Sequence, residues 1–164
     1  MSYSYDARCY SNAQKGGFGE RFQNITGMSV EDSISLYKSQ TGEVLTVDQV
    51  EKMFTNSSYA KEQLMANKNL HTVYRNILNS NAPQTAAAAA TAGYQKLGFW
   101  KSIFHNPIVN SKWVGPSGHM EGVYNSKGNI VNSNSVRGTF NFFGPSQAGA
   151  HKAADVDPYF KWGN

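Results

Sequence analysis

Two spacings in the C-terminal third of the chain join side chains that can move protons. His119 and Glu121 stand two residues apart in Gly118-His-Met-Glu-Gly-Val-Tyr124, whose composition predicts an extended strand. Alternation along that strand puts His119, Glu121 and Val123 on one face and Met120, Gly122 and Tyr124 on the other. Side chains two apart on a strand are about 6.5–7 Å from one another, so imidazole and carboxylate can converge on one substrate as general acid and base. The same pair fits the solvated side of a hairpin equally well. His151 and Asp155 are four residues apart. On a helix this makes them neighbours, and the carboxylate can then fix the tautomer and orientation of the imidazole. A base with its orienting acid is half of a catalytic constellation, whereas the plain alternative is a helix-surface pair contributing about 0.3–0.5 kcal/mol.

Cys9 adds an alternative nucleophile, with His119 as its base and Arg8 beside it to lower the thiol pKa. No helix start is predicted near Cys9, so nothing else in its surroundings activates it. His119, Glu121, His151 and Asp155 are all metal-ligating types, but no HExxH or comparable spacing joins them and no metal site is expected. Nor is an organic cofactor. Lys15-Gly-Gly-Phe-Gly19 is glycine-rich, yet it lacks the Lys-Ser/Thr ending and the preceding apolar strand of a phosphate loop.

The chain that must position these residues has 164 of them, the size of one domain able to bury its own core. A single cysteine excludes an intramolecular disulfide and a cysteine-based zinc site. Fifteen Lys and Arg against eleven Asp and Glu give a net charge of +4 without any basic run. That mild bias suits an anionic target such as nucleic acid or cell-wall polymer, or simply a solvated surface. The N-terminus has neither a basic nor an apolar region of a secretory signal. The most apolar stretch, Thr85 to Phe104, carries Gln95, Lys96 and Lys101, so no membrane span is expected. A product soluble where it is made, in the cytoplasm, would need a dedicated machine to leave the cell.

Residues 1–25 are rich in Tyr, Ser, Asn and Gly and are expected to be irregular; 29–104 read as mainly helical. Ser29 with Asp32, and Thr46 with Gln49, have capping-box spacing ahead of the apolar series Val30, Ile34, Tyr37 and Val47, Val50, Met53, Phe54. Gly42 stops the first. A third helix is expected from about Ser58 to Leu78, with Leu70, Val73, Tyr74, Ile77 and Leu78 as its apolar stripe and His71 at the surface or as a cap. A fourth runs from Thr85 through Ala86–Ala90 to Phe104, ended by Pro107. From 108 to 164 the composition turns to strands and turns: a hairpin of Met120–Tyr124 with Ile130-Val131, a third strand at Gly138–Phe143, and a short helix from Ser146 to Asp155 that Pro158 ends. The fold class is therefore α+β, a helical N-terminal part packed on a small antiparallel sheet with a short C-terminal helix.

The run Lys112-Trp-Val-Gly-Pro-Ser-Gly-His-Met-Glu-Gly-Val-Tyr124, then Gly138-Thr-Phe-Asn141, His151, Asp155-Val-Asp-Pro-Tyr159 and Trp162-Gly-Asn164 resembles a terminal module of bacterial polymorphic toxins, including Rhs-type and type VI secretion effectors. The resemblance covers residues 97–164 and implies a toxin rather than any one reaction. It points to Glu121, Thr139, Asn141, His151, Asp155 and Asn164, with Thr139, Asn141 and Asn164 as substrate-binding residues. Gly122 departs from the alanine of that pattern and Asn125 from its aspartate. A cognate immunity protein and a component of a secretion apparatus are the implied partners. The expected activity is a cofactor-independent hydrolase acting on nucleic acid inside a target cell, with Glu121 and His151 as acid and base and Asp155 as orienter. Two alternatives stand beside it: a peptidoglycan hydrolase, using Glu121 on a glycosidic bond or Cys9 and His119 on a peptide bond, and a non-enzymatic adaptor.

Overall fold

The structure, a computed structural model, describes residues 17–98 and 109–164. Cys9 lies outside the described residues, as do Trp100, Ile103 and Phe104 of the fourth predicted helix. The architecture is α+β, with helices first, a small antiparallel sheet, and a helical C-terminus.

Helix α1, Phe18–Thr26, occupies part of the segment expected to be irregular. Phe18, Phe22 and Ile25 recur at intervals of four and three, and this apolar stripe closes onto Phe54 through edge-to-face ring contacts. Helices α2, Val30–Thr41, and α3, Val47–Thr55, begin where their capping residues stand: Ser29 accepts from the Asp32 N–H, and Thr46 and Gln49 form a complete reciprocal box. Gly42, at φ +76°, ends α2 in the left-handed conformation.

The predicted third helix is two. Helix α4, Ser57–Ala66, stops at Asn67, whose side chain accepts from the amides of Asn69 and Leu70 and so starts a new helix. That next helix, α5, is a π-helical turn at Leu70–Tyr74 running into an α-helical turn at Arg75–Leu78. The fourth helix is also shorter than expected: α6 covers Ala86–Thr91 under a Thr85 cap and ends before Gly93, at φ +84°. The chain then enters β1, Gln95–Lys96, a strand the helical reading missed.

Strand β1 pairs antiparallel with β2, Asn110–Val114, and β2 with β3, Glu121–Asn125, in the order β1-β2-β3. Lys112 stands opposite Val123, and Trp113 opposite Gly122. The expected hairpin return at Ile130-Val131 survives as a single bridge from Ile130 to Tyr124 and a Val131 amide bond to the Val123 carbonyl. No strand forms at Gly138–Phe143. Phe140, Phe142 and Phe143 instead enter the main core with Phe22, Val50, Met53, Phe54 and Leu64, while the Thr139, Phe142 and Phe143 amides bind side chains elsewhere and the Asn141 amide donates to the His119 carbonyl. The C-terminal segment α7 starts as α-helix at Ala148–His151, passes through a π turn at Lys152–Val156 and resumes as α-helix at Asp157–Trp162. Ser146 does not cap it, and Pro158 does not end it. Proline lacks only a donor that a helical first turn leaves unpaired, and here it stands within the first turn after the π segment. No described helix is long and apolar enough to cross a membrane.

Candidate active site

Strand β3 opens on Glu121, and the register of the sheet decides what its carboxylate meets. Lys112 lies diagonally across from it on the same face, within reach of a long side chain, and the Lys112 ammonium sits 3.1 Å from Oε2. Asn141 Nδ2 donates to the same oxygen at 2.9 Å, and the Thr139 amide and hydroxyl donate to Oε1 at 3.1 and 3.3 Å. The residue is 2% exposed. Its backbone is gripped as firmly: Asn79 donates to the Glu121 carbonyl at 2.7 Å and accepts from its amide at 3.0 Å. Close packing by the loop completes the clamp, since a Cβ on Gly138 would fall 2.8 Å from the Glu121 carbonyl oxygen. At the next position a Cβ on Gly122 would run into the Tyr124 ring, so glycine suits the place where the resembling pattern has alanine.

His151 and Asp155 meet as helical spacing requires, Nδ1 donating to Oδ2 at 3.0 Å and to the Phe143 carbonyl at 2.7 Å. A proton fixed on Nδ1 leaves Nε2 as the free lone pair of the neutral ring. The Asp155 hydrogen bond raises the His151 pKa above the ordinary imidazole value, and the net rise survives an opposing effect of burial. Asp155 holds more than the histidine. Oδ1 accepts from Arg75 Nη1 at 2.7 Å and from the Phe142 amide at 2.8 Å, and Oδ2 accepts from the Phe143 amide at 3.0 Å. Three amides of the expected third strand, those of Thr139, Phe142 and Phe143, thus serve two carboxylates, and the one backbone bond of Asn141 to His119 makes no ladder.

Arg75, 4% exposed, also donates to the Phe140 and Ala154 carbonyls and to His71 Nδ1. His71 is buried rather than superficial. Its Nε2–H donates to the Gly163 carbonyl at 2.6 Å, and burial pushes its pKa down to about 4. His71, Arg75 and Asn79 therefore stand four residues apart along one helical segment, and each grips a different C-terminal stretch: the chain end, the Asp155 turn and strand β3.

Lys112, Glu121, Thr139, Asn141, His151 and Asp155 line one cleft of about 180 Å³, with Val156, Tyr159 and Phe160 completing its lining. Five of the seven described residues singled out from sequence meet there. His119 does not: β3 begins only at Glu121, so strand alternation never reaches it. Its Nδ1–H donates to the Asn141 carbonyl at 2.6 Å, its ring stacks on Phe140, and burial lowers its pKa. Asn164 is also absent from the cleft, its Nδ2 donating to the Arg137 carbonyl at 3.0 Å. Sequence reasoning missed Lys112 as a site residue because only the β2–β3 register brings it to Glu121. It missed Arg75 despite a legible signal, the polar line His71, Arg75, Asn79 beside an apolar stripe. Among the described residues no three His, Cys, Asp or Glu side chains cluster as metal ligands.

The cleft can do base chemistry at His151 Nε2 and offers a cation, Lys112, for a developing negative charge. No protein-family model, curated protein or solved structure matches the chain.

Proposed function

We propose that the chain is the toxic domain of an antibacterial effector and hydrolyses nucleic acid in this cleft, with His151 as general base. The observation that carries the reading is the His151 ring, held by Asp155 and the Phe143 carbonyl so that Nε2 is left for the substrate. Nε2 takes the proton of the attacking oxygen; that oxygen bonds to phosphorus as the bond to the leaving oxygen breaks, and solvent protonates the leaving oxygen. Lys112 supports the charge that gathers on the phosphate oxygens. Glu121 holds the Lys112 ammonium in place and is a positioning residue here. Four donors already occupy its two oxygens, and a proton for a glycosidic bond would have to displace one of them. That weighs against the cell-wall glycosidase. The position of His119 between Phe54 and Phe140 likewise gives a Cys9–His119 pair no support.

The toxin role rests on the resemblance of residues 97–164 to effector modules. It brings with it delivery from the bacterial cytoplasm into a target cell by a secretion apparatus and neutralisation by a cognate immunity protein. Expression without partners tests all of this at once. A nuclease should kill from the cytoplasm with visible breakdown of cellular RNA or DNA, and His151→Ala should be harmless. Killing only after export to the periplasm would replace the reading by the cell-wall hydrolase, and harmlessness in both compartments by the adaptor.

A further inference from the structure

Arg137 lies on the loop that supplies Thr139 and Asn141 but outside the cleft they line. Its backbone is fixed: the amide donates to the Ser133 carbonyl at 2.9 Å and the carbonyl accepts from Asn164. Its guanidinium is half-buried, burial alone lowers its pKa, and among the described residues no hydrogen bond or ion pair holds it. A partly desolvated cation without a partner is costly unless an anion completes it.

Arg137 lines a second cleft of about 290 Å³, at the lower end of small-molecule sites. Asn76 and Asn132 bring carboxamides to its lining, beside Gly138, whereas those of Asn79 and Gln84, also in the lining, already bond the Glu121 backbone and the Ala82 carbonyl. Among the described residues Glu121 is its sole acidic one, and that carboxylate is committed to Lys112, Thr139 and Asn141. Carboxamides present donor and acceptor side by side, the pattern that pairs with nucleobase edges, and a guanidinium fork matches the oxygens of a phosphate. Gly138 separates the two clefts by one residue: Arg137 precedes it and Thr139 follows it, while Glu121 borders both.

We propose that this second cleft is a nucleotide subsite, Arg137 pairing with a phosphate and the Asn76 and Asn132 carboxamides contacting the base of a nucleotide that adjoins the one cleaved beside His151. The proposal rests on the nucleic-acid reading of the first cleft, but its test does not need activity. Calorimetric titration of the full chain uses the four nucleoside 5′-monophosphates, adenosine, inorganic phosphate and a muropeptide in turn. At least one monophosphate should bind more tightly than adenosine or inorganic phosphate. Arg137→Gln should weaken it roughly ten- to hundredfold, the worth of a charged hydrogen-bonded pair, and Arg137→Lys should recover only part. Asn132→Ala, at an exposed rim position, gives a second reading should Arg137→Gln melt early, and should also weaken the monophosphate. His151→Ala should bind as the parent does. Nucleotide binding by a protein that cuts no nucleic acid keeps the subsite and removes the hydrolase. Nucleotide binding unchanged in Arg137→Gln, equal binding of inorganic phosphate, or preference for the muropeptide overturns the subsite.

Discussion

Replacing Asp155 by asparagine keeps the shape of the side chain and removes its charge, and the consequence can be worked out donor by donor. The carboxylate accepts four hydrogen bonds, from Arg75, from the Phe142 and Phe143 amides and from His151. An asparagine offers one acceptor oxygen, so whichever way it turns, its NH₂ faces two donors. Arg75 then remains 4% exposed with no counter-charge, and breaking a buried pair from one side costs about 3–5 kcal/mol. The His151 contact adds about 0.5–1 kcal/mol at most, because that side chain is 23% exposed. Against a typical total of about 5–15 kcal/mol this is roughly a quarter of the stability or more, and a Tm lower by about 7–24 °C. Urea unfolding at neutral pH, followed by tryptophan fluorescence, measures it. The Arg75→Met/Asp155→Asn double variant should lose clearly less than the sum of the single losses, since it removes the stranded charge. A single-variant midpoint within about 0.5 kcal/mol of the parent would refute the view that Asp155 anchors the C-terminal segment. Lost activity in Asp155→Asn is accordingly a stability effect first, and only a tautomer effect once folding is shown.

Four further outcomes are expected. His71, whose folded pKa is pushed to about 4, resists protonation in the fold; its contribution is complete above about pH 6.5 and is lost as pH falls towards 4, about 3 kcal/mol in all. His71→Gln should flatten that acid limb in urea midpoints taken across pH 4–7, and parallel limbs would refute the assignment. His151 has the opposite sign: its raised pKa stabilises at low pH and the benefit disappears as pH climbs through the folded value. His151→Ala should therefore abolish this alkaline loss, change stability near neutrality by about 1 kcal/mol, and reduce turnover about 10²–10⁴-fold; a fully active variant would remove the base. Glu121→Gln should destabilise by about 1–3 kcal/mol by turning an amide towards donors and stranding Lys112, and an unchanged melt would show that the clamp is slack. Gly138→Ala should cost about 1–3 kcal/mol through the Cβ forced against the Glu121 carbonyl, read as a lower melting temperature.

What the sequence determined alone is what neighbours along the chain decide. Ser29 and Thr46 cap their helices because the amides they accept from lie three residues away, and His151 meets Asp155 because one helical turn separates them. The apolar stripe of α1 was equally local, though its Gly-rich surroundings hid it. Tertiary structure decided the rest. The alternating residues 138–143 look like a strand, yet the Thr139, Phe142 and Phe143 amides find Glu121 and Asp155 instead of a neighbouring strand, and both hydrogen-bonding choices suit the same sequence. Lys112 reaches Glu121 only through the register of β2 on β3, and His119 is turned away because β3 starts two residues after it. Arg75 acquires its meaning from a carboxylate 80 residues further on. Local spacing carries a cap or a helical pair because short-range geometry is nearly independent of context. A buried charge is different, since its partner is whichever opposite group the folded chain brings to it.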